Sequence, residues 1–439
     1  VPTPEKKQPR TRPVRRPAAK APEAQPTAPV EPRQKPRPKA PVQAAKPETP
    51  KPQKPKPKPR VRPKAVRPER FVWAYPDEPP FADQARPLLT APAVDSSGRI
   101  YLSSLQRLVA LEEENGKAKV VWEYVIGSPV PGPTVVGSDG NIRLHCADGF
   151  LHCVTPQGKQ AWSPAKVGEP LGFAAPLVDG DGNTWISAYD GGLLKIDPDG
   201  RMAATPFFRS RSKFDSAGVI YDRVIYIGCE DGYLFAIRTD GSRGVNLWDH
   251  SAEQGYTGWF LNSSPAVTAD SVIVVAGRDD NLHGFAANGV QTWTTRLPGQ
   301  MLGSPVLDAH GHVYVGVSQA KRGEKGRGSL VCVDGNSHKI RWEYAAAGPV
   351  ESTPVIGDDE IVYFGDNAGV IHAVDARGTA QWTGRVESAV RSAGTIVAPH
   401  RLAFGLDNET LVVLDCASTA LAPNSWPKIR RSREQSGLV

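Results

Sequence analysis

The residues best placed for chemistry are two His-Cys pairs, His145-Cys146 and His152-Cys153, whose types and short spacing are those of a metal site. If Asp148-Gly149 makes a two-residue hairpin turn, His145 faces His152. Cys146 then faces Leu151 and meets Cys153 only diagonally, on the opposite side of the sheet. Four ligands in that register do not converge. Packing between neighbouring sheets is the expected role of both thiols, with a metal or a disulfide as the alternative. A second candidate, Asp179-Gly180-Asp181-Gly182-Asn183, has the alternating oxygen ligands of a calcium loop, but no bidentate Glu closes it. The same place elsewhere in the chain reads Asp95-Ser96-Ser97-Gly98 and Ser138-Asp139-Gly140-Asn141, so turn geometry explains it. No GxSxG, HExxH or phosphate-cradling Gly loop occurs. No catalytic residue, resident metal or cofactor is expected.

The elements that carry these residues recur every forty-odd residues from about residue 71 onward. Six units open on a Pro followed by apolar residues, as in Ala91-Pro92-Ala93-Val94, Pro265-Ala266-Val267 and Pro354-Val355-Ile356. Two apolar runs follow around an Asp-Gly-like turn, as in Val224-Ile225-Tyr226-Ile227-Gly228 and Tyr233-Leu234-Phe235-Ala236-Ile237. β-branched and aromatic content, short length and the intervening turns predict strands in hairpins. The runs are nearly continuous rather than alternating, which predicts sheets covered on both faces by their neighbours. A repeat of this length with these strands predicts a propeller.

A Trp closes most units, at Trp122, Trp162, Trp248, Trp293, Trp342 and Trp382, and Ala204 takes its place in the unit between Trp162 and Trp248. An eighth unit begins at Thr395 and lacks its last strand. Phe71-Val72-Trp73-Ala74-Tyr75 matches Val120-Val121-Trp122-Glu123-Tyr124, so the start of the globular part is expected to fill that slot. The fold predicted is all-β: an eight-bladed propeller of four-stranded antiparallel blades, closed by an N-terminal strand, which removes open sheet edges. Trp73 and the six closing Trp residues are expected to be structural, each ring lying between blades with its N–H on a main-chain carbonyl.

With Trp122-Glu123-Tyr124, Gly232-Tyr233-Leu234-Phe235-Ala236-Ile237 and a C-terminal Trp426-Pro427-Lys428-Ile429-Arg430, residues 71 to 439 resemble the PQQ-like β-propeller repeat family. That family includes quinoprotein alcohol dehydrogenases and the assembly lipoprotein BamB, so the resemblance implies a fold rather than an activity. Its dehydrogenases carry adjacent cysteines beside the quinone, with calcium and a base. Here Cys146, Cys153, Cys229, Cys332 and Cys416 are all separated, which favours the non-enzymatic members over a PQQ-dependent dehydrogenase.

In such a blade the second-to-third and blade-to-blade connections share one face of the ring, and the long insertions all fall there. Phe207, Phe208, Arg209, Arg211, Lys213 and Phe214 follow blade three; Tyr256, Trp259 and Phe260 follow blade four; Lys321, Arg322, Lys325 and Arg327 interrupt blade six. Aromatic and Arg side chains on loops held by a rigid ring suit protein docking, and these are the candidate partner-binding residues. Plugging of the central channel by the aromatics is the alternative.

The formal charge of +7 hides two segments. Residues 1 to 70 hold 21 Lys and Arg against 5 Glu, with 20 of the 42 Pro, no aromatic and no Gly, while the remainder carries 32 basic against 41 acidic side chains. Such a tail cannot bury enough apolar surface to fold, and is expected to be disordered and extended, reaching at most roughly 200 Å as polyproline II. It reads as a spacer, a solvated linker or an arm for an anionic polymer or membrane surface, with nucleic acid less favoured. The chain opens on Val1, which points to a removed leader or a trimmed start, and no apolar run reaches 18 residues. With the family habit, this places the chain outside the cytoplasm, in an envelope complex with protein partners; the five cysteines leave their redox state open.

Overall fold

The computed structural model describes residues 68–77, 91–104, 106–168, 175–188, 190–319, 326–432 and 434. The basic arm up to residue 67, with the spacer and polymer-binding roles read from it, and Lys321, Arg322 and Lys325 lie outside the described residues. Thirty-two strands form eight antiparallel four-stranded sheets. Seven are continuous in the chain, at 93–125, 135–166, 177–209, 219–246, 266–296, 306–345 and 355–385. The eighth sheet joins Thr395–Ala398, Arg401–Gly405 and Leu411–Asp415 to Phe71–Tyr75, with Trp73 opposite Val413 and Tyr75 opposite Leu411. The ring of eight blades therefore closes through the N-terminal strand. Among the described residues the one helical segment is the three-residue turn His250–Ala252, and no helix is long and apolar enough to cross a membrane.

The middle strands carry the core. Val362–Gly365 and Val370–Val374 of blade seven are buried throughout, because both faces meet neighbouring blades. The outermost strands, such as Lys117–Val125, alternate between exposed and half-buried positions. Their charged residues face solvent and their Trp and Tyr residues face the next blade. In several blades the turn after the first strand is fastened by one carboxylate. Asp95 accepts the N–H groups of Ser97 and Arg99 and the Tyr101 hydroxyl at 2.8 Å; Asp179 accepts those of Asp181 and Asn183 and the Trp185 indole at 2.9 Å. The loop with calcium-like spacing thus spends its first carboxylate on its own turn.

The Trp residues fasten blade to blade. Trp122, Trp248 and Trp342 donate Nε1–H to the carbonyls of Pro156, Ala287 and Ala376 in the following blade at 2.9, 2.9 and 3.0 Å. Each ring lies against a left-handed Gly two residues further on: a Cβ added to Gly158, Gly289 or Gly378 would stand 2.7, 2.6 or 2.8 Å from the indole. Trp162 packs on Gly200 in the same way but its buried Nε1 finds no partner. Trp293 stacks on His338 at 4.6 Å, Arg70 lies 5.3 Å above Trp382, and Trp73 donates to Glu113 Oε2 at 2.9 Å. Blade three departs from the pattern. Ala204 is exposed, and three extra residues between the Ile196–Met202 bridge and the Leu193–Phe208 pair carry Phe207 and Phe208 inward instead.

The C-terminal segment crosses the axis of the ring. Trp426 exchanges backbone hydrogen bonds with Leu307 of blade six at 3.0 and 2.9 Å, Pro427 accepts from Ile356 of blade seven, and Glu434 accepts from Val136 of blade two. Arg430 donates to the Pro176 carbonyl of blade three. Trp426, Lys428 and Arg430 are buried, and burial pushes the Arg430 guanidinium down to about 9. This segment plugs the channel, a role read from the sequence as an alternative for the loop aromatics.

Candidate functional site

The plug leaves a cup of about 200 Å³ at the axis, floored by Ile429 and lined by Ala91, Pro133, Ala217, Ser264, Ser304, Thr353 and Ala393, which enter seven different blades. A repeated hydroxyl builds its wall. Ser216, Ser263, Ser352 and Ser392 each accept a backbone N–H from the second strand of their own blade, from Gly228, Ala276, Gly365 and Gly405. One position later the hydroxyls link neighbours: Ser264 N–H donates to Ser304 Oγ and Ser304 N–H to Thr353 Oγ1, both at 2.9 Å. The residue before each clamping Ser is Asp215, Asn262, Glu351 or Arg391, and the last three line the cup.

Arg391 lies 3.2 Å from Glu351 and 2.7 Å from Asp407. Burial pushes the Asp407 carboxyl above its ordinary value, with Arg391 pulling it down and Glu351 adding to the rise. Asp215 accepts from the Asn262 amide, and burial followed by the nearby Glu230 raises its carboxyl against Arg278 and Lys213. Arg278 Nε, Asn262 Oδ1 and Asp407 Oδ1 are buried without a hydrogen-bond partner. The cup therefore offers the Arg278 and Arg391 guanidinium groups, the Glu351 carboxyl and an unspent donor and acceptor on Arg278 and Asn262, which suits capture of a polar side chain or chain end.

Beside it stands an aromatic rim. Tyr256, Trp259 and Phe260 are 37%, 56% and 43% exposed, on the connection that ends at Asn262 of the cup. Trp259 and Phe260 lie with ring centroids 5.7 Å apart. The loop is held from below, since Thr257 donates both its N–H and its hydroxyl to the Gly232 carbonyl at 2.9 Å, and Tyr233 lies 4.8 Å from Tyr256.

Three of the candidates grouped with this face belong to the core instead. Phe207 packs edge-on to Trp185 at 4.8 Å, Phe208 lies 5.7 Å from Phe235 inside the fourth strand of blade three, and Phe214 is fully buried against Phe235 at 5.2 Å. They replace the missing Trp of that blade, which is why they turn inward. Arg209 is exposed and paired with Asp190 at 2.8 Å, Arg211 and Arg327 are exposed, and Lys213 is half-buried near Asp215. Arg278, Glu351, Arg391 and Asp407 were not singled out from sequence. Their signal was the recurrent place ahead of the clamping Ser or after the Gly or Leu that follows a second strand.

The His-Cys hairpin differs in register from the expectation. His145 pairs with Leu151 and Leu144 with His152, while Cys146 N–H donates to Phe150 at 2.9 Å around a turn of three residues, 147–149. Cys146 and His152 consequently share one face, and His145 and Cys153 the other. His145 Nε2 is 2.7 Å from the Gly168 carbonyl. All five cysteines are buried free thiols.

Residues 230–322 and 309–424 match the family model described as outer membrane protein assembly factor BamB. Among solved structures, BamB from Moraxella catarrhalis superposes with a TM-score of 0.55 at 16% identity, over 75% of this chain and 98% of that one. A europium-containing methanol dehydrogenase gives 0.59 at 14% identity over 76% and 84%, and the quinohemoprotein alcohol dehydrogenase from Comamonas testosteroni gives 0.60 at 13% over 80% and 77%. No curated protein matches. The quinone that the dehydrogenase resemblance implies is a flat tricycle, and among the described residues the cup presents it no aromatic ring and no cysteine. Glu351 and Asp407 are engaged by Arg391, so the residues present do not fit that cofactor. Eight four-stranded blades in a closed ring, seven of them carrying a fastening Trp, give this chain the fold of the PQQ-like β-propellers, and residues 230–424 are the part that matches the BamB family model.

Proposed function

We propose that the chain is a non-enzymatic, protein-binding propeller of the bacterial cell envelope, acting outside the cytoplasm as a scaffold that docks a partner on the face carrying the cup. The observation that carries this reading is the trio Tyr256, Trp259 and Phe260, exposed on a braced connection at the edge of the axial cup. Exposed aromatics pre-ordered by their scaffold lose little entropy on binding and dominate interface energetics. The cup supplies unspent polar groups for orientation. Arg211 and Arg327 extend the surface, and the family match to an assembly factor supports a protein partner. The basic arm of residues 1–67 serves in this reading as a tether.

The test is affinity capture from native envelope membranes with the full chain and with Trp259→Ala/Phe260→Ala. Hot-spot truncation of about 2–3 kcal/mol should cut partner recovery roughly 30- to 150-fold, with the circular dichroism spectrum unchanged. Undiminished capture would remove the docking assignment. Stoichiometric uptake of pyrroloquinoline quinone with calcium, read as quinone absorbance, would overturn the non-enzymatic reading.

A further inference from the structure

Three blades place a His at the third residue of the third strand: His152, His283 and His372, all buried, at 8%, 4% and 3% exposure. In two of them the imidazole is fully engaged. His372 Nε2 is 3.0 Å from Asp366 Oδ2 and its Nδ1 3.3 Å from the Tyr344 hydroxyl. His283 Nε2 lies 3.2 and 3.1 Å from the two Asp279 oxygens and its Nδ1 3.4 Å from Gln291. Blade two has Cys146 where blade seven has Asp366. Each is the residue whose N–H bonds the first carbonyl of the third strand, at 2.9 Å in both blades. With that substitution His152 is buried and neither of its ring nitrogens has a hydrogen-bond partner. Leaving such a group unsatisfied is costly, so the arrangement calls for an occupant.

Cys146 Sγ, an Asp148 carboxylate oxygen and a His152 ring nitrogen all lie within 4.8 Å of one another. The three-residue turn is what assembles them: it sets Cys146 and His152 on one face and hangs Asp148 from the bend, its N–H fixed on Ser128 Oγ at 3.0 Å. One sulfur, one nitrogen and one oxygen are the donor types that select a borderline divalent ion, and a spacing within 4.8 Å needs only a small inward movement to reach the tetrahedron edges of about 3.3–3.8 Å that zinc bonds of about 2.0–2.3 Å produce. Cys146 and His152 are buried while Asp148 is exposed, so the ion has an entrance and the carboxylate has room to swing inward. We propose that Cys146, Asp148 and His152 form a zinc-type metal site at the turn of blade two, with a water as fourth ligand. Binding releases the thiol proton to solvent and involves no change of oxidation state. The site rests on this hairpin alone and is independent of the docking reading.

The experiment uses the tag-free full chain, stripped with chelator and titrated with Co²⁺. One equivalent should bind, giving visible d–d bands of a tetrahedral ion and a near-ultraviolet thiolate-to-cobalt band, both erased by added Zn²⁺. Cys146→Ser should abolish the thiolate band, and His152→Gln should weaken Co²⁺ binding at least about tenfold, a loss of about 1.4 kcal/mol. Cys153→Ser, on the other face of the same hairpin, should leave both unchanged. Should a variant fail to fold, the unmodified chain still decides, since Zn²⁺ must then raise its melting temperature. No Co²⁺ uptake at about 1 mM, a thiolate band that survives Cys146→Ser, or equal loss in Cys153→Ser overturns the site.

Discussion

Removing the Trp73 indole probes the seam at which the ring closes without a covalent turn. The side chain is 2% exposed and packs in a cluster with Val94, Leu111, Val397 and Val413, drawn from blades one and eight. A ring of this size withdraws about 200 Å² from water, which at about 25 cal/mol/Å² corresponds to at most ~5 kcal/mol. The indole N–H also donates to Glu113, but Arg401 grips both oxygens of that carboxylate at 2.8 and 3.0 Å and holds it below its ordinary pKa. Glu113 is therefore not stranded, and the lost bond adds only about 1 kcal/mol. Trp73→Ala should cost about 3–5 kcal/mol, and Trp73→Phe about half as much. The strand is attached to blade eight chiefly by pairing with residues 411–414, so the damage should be local before it is global. Urea unfolding gives the magnitude and amide exchange gives the place, with accelerated exchange expected in 71–75 and 411–414. An unchanged midpoint, or acceleration spread evenly over all blades, would refute closure through this strand.

Two further outcomes follow from the turns. Gly158→Ala adds a Cβ 2.7 Å from the Trp122 ring, whereas Gly98→Ala adds one with nothing within 4 Å, and both glycines have positive φ. Thermal unfolding should show a loss of about 2–3 kcal/mol for the first and about 1 kcal/mol for the second; equal losses would mean that stacking on Gly does not fasten the blades. For Asp366, burial alone would raise the carboxyl, but His372 and the N–H groups of Val370 and Gly348 hold it below its ordinary value. A carboxyl depressed by folding adds stability above the unfolded value of about 3.9, and loses it as pH falls through the folded value. Asp366→Asn should thus cost about 1.5–3 kcal/mol at neutral pH and flatten the acid limb of urea midpoint against pH; a limb as steep as in the unmodified chain would discount this carboxylate.

The ring was legible because its signals are local and repeated. Pro-apolar-Val openings, paired apolar runs and a terminal Trp recur with little change, and the match of Phe71–Tyr75 to the strand around Trp122 revealed the closing strand. Where one unit breaks the repeat, the reading slipped. Phe207 and Phe208 looked like loop residues because the missing Trp made the fourth strand hard to see, yet that loss is what drew them into the core. The cup was less visible still. Asn262, Glu351 and Arg391 are dissimilar in type and share only their place before a clamping Ser, so their convergence is a property of ring symmetry rather than of any motif.

The hairpin of blade two shows how little separates a structural reading from a chemical one. With a two-residue turn His145 would oppose His152, and Cys146 would point away from it; with three residues in the turn the pairs become Leu144 with His152 and Cys146 with Phe150. Because side chains alternate along a strand, that single residue exchanges which His and which Cys share a face. Asp148-Gly149 suits either turn, since the left-handed Gly149 closes the longer one as readily as the shorter. Blade seven resolves the ambiguity, for Asp366-Asn367-Ala368-Gly369 has the same length and the same bond from its first N–H to the third strand. Where repeats share a turn length, the register of one hairpin can be borrowed for another, and a Cys standing where a sister blade keeps its carboxylate then marks the place at which an imidazole has lost its partner.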